Sequence, residues 1–263
     1  MSHFYLDKKY LDDYYPSKKI KNNKNYYLDR DANKVIEEVF DKSTLMTLYN
    51  LINHNAIDYL DGVVNSGKEA RIYRGVKDKQ LLAVKIYLVS SSNFKSRSEY
   101  LIDDYNSAFK KGMKNIVPLW VRKEYRNMKI AYDNNIPVPK PLCFDKNVLV
   151  MNFIGENGVG SPLLKNSPLS QKDYNMLLNI ITNLYKKAGL VHGDLSEYNI
   201  FKFKNKLLLF DFGSSVTLNN PKHIDFLKRD INNINKFFSR NGFKTKSLNE
   251  ILDGMKNWYE ERN

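Results

Sequence analysis

Cysteine is nearly absent from the sequence, since Cys143 is the single one among 263 residues. One thiol can form neither an intramolecular disulfide nor a zinc site built from cysteines, which excludes a small disulfide-stapled scaffold. Long apolar runs are also missing: no segment approaches the roughly 18 consecutive apolar residues of a membrane-spanning helix. Residues 1–30 lack the apolar core of a signal peptide. These absences predict a cytoplasmic protein without a membrane partner.

Acidic residues are in short supply relative to basic ones. The chain has 29 Asp and Glu against 42 Lys and Arg, which gives a formal net charge of +13. Such an excess favours solubility or an anionic partner. Basic residues concentrate at 18–24, 110–123 and 202–206, and aromatic residues accompany the first and third clusters. These clusters are candidate contacts for an anionic partner, and solvated lysine-rich surfaces are the alternative that the sequence leaves open.

The hydrophobic pattern divides the chain into segments of different character. Hydrophobic residues make up 42% of the chain, which is ordinary for a folded protein. Apolar residues recur at helical spacing over 35–40, and Ser43 is the predicted cap of a second helix. The predicted segments are a basic flexible arm (1–32), an N-terminal helical extension (33–60), a β-rich N-lobe (61–151), a hinge (152–158) and a helical C-lobe (159–263).

The order of predicted strands and helices indicates an α+β fold. Short apolar, β-branched runs predict strands at Ala70–Arg74, Leu81–Leu88 and Val148–Ile154. A polar stretch over 90–117 predicts a long loop. The predicted helices are 120–133, 174–188, 221–240 and 248–261. A β-rich block followed by a mostly helical block predicts a bilobal architecture, and ligands favour the cleft between such lobes.

One segment, Val191–Phe201, reads VHGDLSEYNIF and carries the strongest chemical signal. His192, Asp194 and Asn199 have the H-x-D-x-x-x-x-N spacing seen in the catalytic loop of protein kinases. This spacing lets the Asp meet an attacking hydroxyl or water while the Asn oxygen reaches a metal on the phosphates. A buried His beside a polar surface turn is the alternative for this motif taken alone.

A second motif, DFG, begins at Asp211, twelve residues after Asn199. It directly follows the apolar run Leu207–Phe210, which predicts a strand. An Asp at such a strand end can bind Mg²⁺ between phosphates, and Gly213 frees the turn that follows. Two such motifs in this order and at this separation favour a phosphoryl-transfer site over two unrelated surface turns.

A lysine stands in the middle of the alternating strand AVKIYL, at Lys85. An inward lysine at this place in a kinase contacts the α- and β-phosphates and pairs with a helix Glu. Glu124 is the candidate partner because its predicted helix precedes the strand at 148–154. Glu99 is the rival, since it lies nearer in sequence, and an exposed strand lysine is the alternative for Lys85.

No G-x-G-x-x-G loop precedes the lysine strand. Instead the segment Gly62–Glu69 reads GVVNSGKE, which is close to the phosphate-binding pattern G-x-x-x-x-G-K-[ST]. That pattern needs a hydroxyl residue after the lysine and then a helix, whereas here Glu69 and a predicted strand follow. We therefore expect a short hairpin loop with Ser66, Gly67 and Lys68 over the phosphates.

Taken together, these segments resemble the RIO family of atypical serine/threonine kinases over residues 40–240. The resemblance is carried by NSGKEARIY (65–73), AVKIYL (83–88), KEYRNM (123–128), VLVMNFIGE (148–156), HGDLSEYNIF (192–201) and FDFGSS (210–215). The S-G-K-E loop, the L-S-E-Y-N loop and RDINNINKFF (229–238) point to the first (RIO1-type) subfamily in a short form similar to the archaeal one.

The resemblance implies a bilobal protein-kinase-like fold with a reduced helical C-lobe. Only 50 residues follow Gly213, which is too short for an activation segment and a peptide-substrate subdomain. The implied activity is that of a non-specific serine/threonine protein kinase with ATPase activity. The implied cofactors are ATP and Mg²⁺, with Mn²⁺ as an alternative metal.

The resemblance also implies roles for individual residues. Asp194 would be the catalytic Asp, and Asn199 and Asp211 the metal ligands, with Asp211 able to accept the γ-phosphate. Lys85 and Glu124 would form the phosphate-orienting ion pair. The implied nucleotide contacts are the loop Ser66, Gly67, Lys68 and Glu69 over the phosphates and the backbone of Asn152 and Ile154 beside adenine.

Three functions are compatible with these expectations. The resemblance implies a monomeric kinase/ATPase that acts on the small ribosomal subunit precursor and contacts its rRNA. A kinase/ATPase of the KEOPS tRNA-modification complex is an alternative, because it shares an H-G-D-L loop, D-F-G and a short C-lobe. A third possibility is an ATP-gated ribosome-binding switch with little kinase activity toward other proteins.

Overall fold

The computed structural model describes residues 5–8, 11, 40–88, 100 and 116–260. The helix predicted over 35–40 and the loop predicted over 90–117 lie almost wholly outside these residues. The described residues fall into two compact units, which divide at 91/92, 141/142 and 153/154. The last division lies within the predicted hinge at 152–158. Strands and helices are both abundant, so the predicted α+β class is confirmed.

The first unit is built on a six-stranded sheet in the order β1-β2-β3-β4-β6-β5. Its strands are β1 (Tyr5–Asp7), β2 (Tyr59–Ser66), β3 (Ala70–Lys77), β4 (Gln80–Tyr87), β5 (Pro141–Asp145) and β6 (Val148–Asn152). The pairs β1–β2, β2–β3, β3–β4 and β4–β6 are antiparallel. The predicted strands therefore form, and β3 and β4 meet in a turn at 78–79.

Helix α1 (Lys42–Asn53) covers one face of this sheet. Leu45, Leu48, Leu51 and Ile52 are buried in one cluster with strand residues. The predicted cap, Ser43, is wrong: Asp41 is the N-cap, and its carboxylate accepts a hydrogen bond from Thr44 N–H at 2.9 Å. Both residue types cap helices well, and the helix begins one residue before Ser43.

An unexpected edge strand comes from the segment expected to be a flexible arm. Residues 5–7 pair with β2, with Tyr5 opposite Asp61 and Asp7 opposite Tyr59. Leu6 is fully buried in the core of the first unit. Three residues are too few to show strand periodicity, so the sequence pattern gave no sign of this pairing. The helical extension was expected to reach residue 60, but strand β2 already begins at residue 59.

The second unit is mainly helical. Its helices are α2 (Ile116–Asp133), α3 (Gln171–Lys186), α4 (His223–Arg240) and α5 (Leu248–Glu260). Its short strands are β7 (Gly155–Glu156), β8 (Val159–Gly160), β9 (Leu190–Val191), β10 (Ile200–Phe203), β11 (Lys206–Leu209) and β12 (Val216–Thr217). The strands form three antiparallel pairs, β7–β8, β10–β11 and β9–β12.

Helix α2 groups with the second unit, although 61–151 was expected to form one lobe. Its apolar face, including Trp120, Val121 and Met128, is buried. Polar side chains of the same helix bind the turn that follows β11, as described below. Strand β10 was also not predicted, because Phe201 to Phe203 contains a lysine and lacks a clear apolar run. Among the described helices, none is long and apolar enough to cross a membrane.

We expect Leu6→Ala to lower the free energy of unfolding by about 2–5 kcal/mol, because truncating a buried Leu leaves a cavity. Leu142→Ala is the matched control, since Leu142 lies on β5 of the same unit and is 36% exposed. Urea unfolding followed by circular dichroism measures both variants. Equal unfolding midpoints for the two variants would show that β1 does not stabilise this core.

Candidate active site

The catalytic-loop motif follows strand β9 and is held together by its own hydrogen bonds. Asn199 Nδ2 donates to the carbonyl of Asp194 at 2.7 Å, and Asn199 N–H donates to Ser196 O at 3.0 Å. Because Asn199 Nδ2 donates its hydrogen bond to the Asp194 carbonyl, Oδ1 is the side-chain atom of Asn199 that can bind a cation. The Asp194 side chain itself is exposed. The five-residue spacing thus places both residues on one closed loop.

The DFG motif is linked to this loop through the backbone. Phe210 N–H donates to the carbonyl of Asn199 at 3.1 Å, so Asp211 begins directly beside the catalytic loop. Asp211 has a left-handed conformation, with φ 67° and ψ 63°, and a short 3-10 turn follows it at Phe212–Ser214. Such a conformation costs a residue other than glycine about 1–3 kcal/mol and is concentrated at functional sites. The structure therefore brings Asp194, Asn199 and Asp211 together.

His192 braces this arrangement from inside the unit. Its side chain is 1% exposed, and Nε2 hydrogen-bonds the carbonyl of Phe210 at 3.0 Å, the residue before Asp211. Its ring packs on Phe212, with centroids 5.0 Å apart. Burial lowers the pKa of His192, so the imidazole is neutral at pH 7 and donates through Nε2–H. Ser215 Oγ donates to the His192 carbonyl at 3.0 Å, which ties the turn to the loop a second time.

A buried carboxylate on α4 supports the backbone on both sides of Asp194. Asp230 accepts hydrogen bonds from Gly193 N–H at 2.8 Å and from Leu195 N–H at 2.9 Å. Burial raises the pKa of Asp230 to about 7, although these bonds and the nearby Arg229 favour the charged form. Arg229 also donates to the carbonyl of Gly193. The loop around Asp194 is therefore held by hydrogen bonds to one helix.

Asp230 was not among the predicted site residues. A signal was present in the sequence, because Asp230 occupies the buried face of α4 with Phe226, Leu227, Ile231 and Ile234. An acid on the apolar face of a helix has to be satisfied in the interior. The sequence alone does not say which groups satisfy it.

Two predicted residues, Lys85 and Glu124, are both buried, and the structure assigns them to different units. Lys85 lies on β4, is 8% exposed, and places Nζ 4.8 Å from the ring centroid of Tyr87. Glu124 lies on α2 and is fully buried. Their ion pair stays a prediction. The rival Glu99 lies outside the described residues.

The predicted phosphate loop is the exposed tip of the β2–β3 hairpin. Gly67 N–H donates to Ala70 O at 3.0 Å, and Ser66, Gly67 and Lys68 are exposed. Glu69 is half-buried, and its carbonyl accepts from Leu88 N–H at 2.8 Å. A strand, not a helix, follows the loop, which agrees with the exclusion of a P-loop. That the loop contacts phosphates stays a prediction.

The predicted adenine contacts lie at and just after the end of β6. Asn152 is its last residue, is exposed, and pairs with Leu82. The carbonyl of Ile154 accepts a hydrogen bond from Ser161 N–H at 2.8 Å. We therefore expect any contact of Ile154 with adenine to use its N–H group.

The donor atoms fit a hard divalent cation. The Asp211 carboxylate and Asn199 Oδ1 are oxygen ligands, which Mg²⁺ prefers. Mg²⁺ in kinase and ATPase sites takes one or two carboxylates together with phosphate oxygens. This donor set is therefore suited to a metal that arrives with a nucleotide.

The raised pKa of Asp230 predicts a pH dependence of stability. The folded chain keeps a proton on Asp230 below pH 7, whereas the unfolded chain loses it near pH 3.8. Between these values the folded state binds one more proton than the unfolded state. The contribution of Asp230 to the free energy of unfolding therefore falls by about 1.4 kcal/mol for each pH unit of increase. Asp230→Asn should remove this contribution. Asp225→Asn, at an exposed position of the same helix, should keep it.

Urea unfolding between about pH 5 and 6.5 measures this contribution as the difference between wild type and variant. The difference is needed because His192, with its lowered pKa, adds a slope of opposite sign to both proteins. Parallel curves for wild type and Asp230→Asn would contradict the assignment of a protonated Asp230.

Comparisons with known proteins identify the family to which the chain belongs. Residues 71–251 match the RIO domain. The chain is 36% identical over 234 residues to the RIO-type serine/threonine-protein kinase Rio1 of Haloferax volcanii, covering 86% of this chain and 80% of that protein. It is 40% identical over 212 residues to Rio1 of Methanocaldococcus jannaschii, covering 79% and 72%. Serine/threonine-protein kinase RIO1 of Caenorhabditis elegans is 35% identical over 232 residues, and the chain spans only 46% of its length.

Among solved structures, the Rio2 kinase-ADP/Mg²⁺-phosphoaspartate complex from Chaetomium thermophilum matches with a TM-score of 0.65. The match covers 95% of this chain and 85% of that one at 18% identity, and it shows a shared kinase fold. The kinase-like α+β class predicted from the sequence is thereby confirmed. On the RIO domain match and the archaeal relatives of similar length, the chain belongs to the RIO family of atypical kinases, in its RIO1-type subfamily.

Proposed function

We propose that the protein is a RIO1-type serine/threonine kinase and ATPase that binds ATP with Mg²⁺. The observation that carries this proposal is the double linkage of Asn199. Its side chain bonds the carbonyl of Asp194, and its own carbonyl accepts from the residue before Asp211. The proposed catalytic base and the two residues proposed as oxygen ligands are thus linked by hydrogen bonds in a single unit. This is the arrangement that phosphoryl transfer requires.

In this mechanism Asp194 orients the attacking hydroxyl or water and accepts its proton. Its exposed side chain leaves room for that nucleophile. Asn199 and Asp211 hold the metal, which when bound neutralises charge on the phosphates. Lys85, Glu124, the loop Ser66–Glu69 and the backbone of Asn152 and Ile154 keep the nucleotide-binding roles that the family resemblance implies.

Asp211 is a second proposed phosphoacceptor. Attack by its carboxylate on the γ-phosphorus forms an aspartyl-phosphate, breaks the bond to the β–γ bridging oxygen and releases ADP. Water then hydrolyses the acyl phosphate and restores the carboxylate. The phosphoaspartate named for the Rio2 kinase complex supports this route.

We further propose that the protein acts as a monomer in the cytoplasm on the small ribosomal subunit precursor. The net charge of +13 supports an RNA partner. In the second unit, Lys204 and Lys206 are exposed at the β10–β11 turn, and Lys165 Nζ lies 4.3 Å from the ring centroid of the exposed Tyr198. Lysines beside aromatic rings are typical of RNA-binding surfaces. The tRNA-modification alternative is not carried further, because the family match is to the RIO domain.

An ATP-gated ribosome-binding switch is the second candidate function. The phosphoaspartate of the Rio2 complex favours it, because a phosphorylated enzyme can define a separate binding state. In that case hydrolysis would release the ribosomal partner, and transfer to other proteins would be slow. The ATP dependence of rRNA binding distinguishes this function from a kinase that acts on proteins.

Asp211→Ala should abolish single-turnover ATP hydrolysis and the acid-stable, hydroxylamine-sensitive phosphoenzyme, because it removes both a metal ligand and the phosphoacceptor. Asp133→Ala is the matched control, since it removes an exposed carboxylate that pairs with Lys129 one helical turn away. Radiolabelled ATP measures both products. Full hydrolysis by Asp211→Ala would refute the assigned roles of Asp211.

A pull-down of the tagged protein with and without ATP tests the ribosomal role. We expect small-subunit rRNA to be retained, and the switch function predicts that the amount changes with the nucleotide. Because phosphate contacts release counterions, retention should also fall steeply as salt is raised. Absence of small-subunit rRNA in both nucleotide states would contradict the ribosomal role and leave the kinase assignment standing.

A further inference from the structure

Helix α2 reaches the backbone of the turn that follows Asp211. Lys123 Nζ donates to Gly213 O at 3.1 Å and to Ser215 O at 2.6 Å. The side chain of Lys123 is 1% exposed, so these bonds form away from water. Hydrogen bonds from a charged donor are stronger than neutral ones. The ammonium group therefore restrains two peptide planes of this turn.

A second side chain of the same helix acts on the same turn. Asn127 Nδ2 donates to Ser215 O at 2.9 Å and lies 3.4 Å from Phe212 O. Asn127 is fully buried and stands one helical turn after Lys123, on the same face of α2. One rigid helix thus contacts the carbonyls of three residues in the turn.

The third contact is steric. Trp120, one turn before Lys123 and fully buried, lies against Gly213. A Cβ added at Gly213 would come within 2.4 Å of Trp120 Nε1. The glycine of the motif is therefore required for the close approach of α2, and this approach brings Lys123 within reach of the carbonyls.

A buried ammonium at this place needs a physical reason. Removing such a charge from water costs several kcal/mol, and an apolar side chain of equal length would fill the same space. The rings of Trp120 and Tyr100, at 5.8 Å and 6.0 Å from Lys123 Nζ, offset part of this cost. Asp211 meanwhile holds a left-handed conformation that persists only where its surroundings impose it. The carbonyls held by Lys123 and Asn127 are those that follow Asp211.

We propose that Lys123 and Asn127 are positioning residues that hold Asp211 in its metal-binding conformation. This inference rests on the proposed function, in which Asp211 is a metal ligand. Without these donors the peptide planes of residues 212–215 can rotate, and Asp211 relaxes out of the left-handed region. The carboxylate then leaves the position that this conformation gives it, and the site loses affinity for Mg²⁺ before it loses affinity for the nucleotide itself.

The test compares nucleotide affinity with and without metal in Lys123→Met. This variant keeps the length of the side chain and removes the charge and the donors. Binding of a fluorescent ADP analogue is measured in Mg²⁺ and in EDTA. We expect the gain in affinity due to Mg²⁺ to fall by about 10- to 100-fold, while affinity in EDTA stays within about twofold of wild type.

Lys129→Met is the matched control. Lys129 lies on the same helix, is about half exposed and pairs with Asp133. Its substitution should leave both affinities unchanged. Thermal unfolding checks that each variant is folded, and Asn127→Leu carries the same prediction if Lys123→Met does not fold, because it removes the neutral donor at similar volume. Lys123→Arg, which keeps charge and donors, should restore part of the metal effect.

Two results would overturn the inference. One is an unchanged gain from Mg²⁺ in a folded Lys123→Met or Asn127→Leu. The other is an equal loss of affinity in Mg²⁺ and in EDTA, which a purely structural role would give. A wild-type protein whose nucleotide affinity does not depend on Mg²⁺ would contradict the proposed function itself, and this result is distinguishable because it needs no variant.

Discussion

The catalytic loop and the turn after β11 share one constraint: both bury backbone N–H and C=O groups that no helix or strand ladder satisfies. Such groups have to be paired in the interior. Helix α4 supplies the partners for the loop, since Asp230 accepts from the N–H groups on both sides of Asp194. Helix α2 supplies them for the turn, through Lys123 and Asn127. The conformation of the site therefore depends on two helices that carry neither of the proposed metal ligands, Asn199 and Asp211.

This arrangement places ionisable groups where water cannot reach them. Lys123 and Asp230 are each 1% exposed, and buried charges reduce stability unless their bonding partners are complete. Apolar side chains at these positions would stabilise the fold more simply, but they could not hold backbone atoms in a set geometry. A polar network that is fully paired becomes rigid. Rigidity is what an aspartate in a left-handed conformation requires, because its surroundings have to oppose the local strain.

Local sequence patterns predicted much of the candidate site, since its motifs are made of residues that lie a few positions apart. The five-residue interval from Asp194 to Asn199 and the DFG motif after an apolar strand identified the loop and the turn. Lys85 was placed correctly on a strand because alternation is a two-residue pattern. Features that depend on partners distant in sequence were missed. Leu6 in the edge strand β1 and Asp230 under the catalytic loop are examples, since each takes its role from residues more than 30 positions away.

The sequence by itself determined the α+β class, the order of the main elements and the family, and it supplied the candidates for the catalytic residues. These follow from periodicity and from motifs that act within a few residues. Only the tertiary structure decided that α2 belongs with the second unit and that its Lys123 faces the carbonyls after Asp211. It also decided that Asp211 is left-handed. Backbone polar groups choose their partners by position in space, and a linear pattern does not record where a buried donor will meet its acceptor.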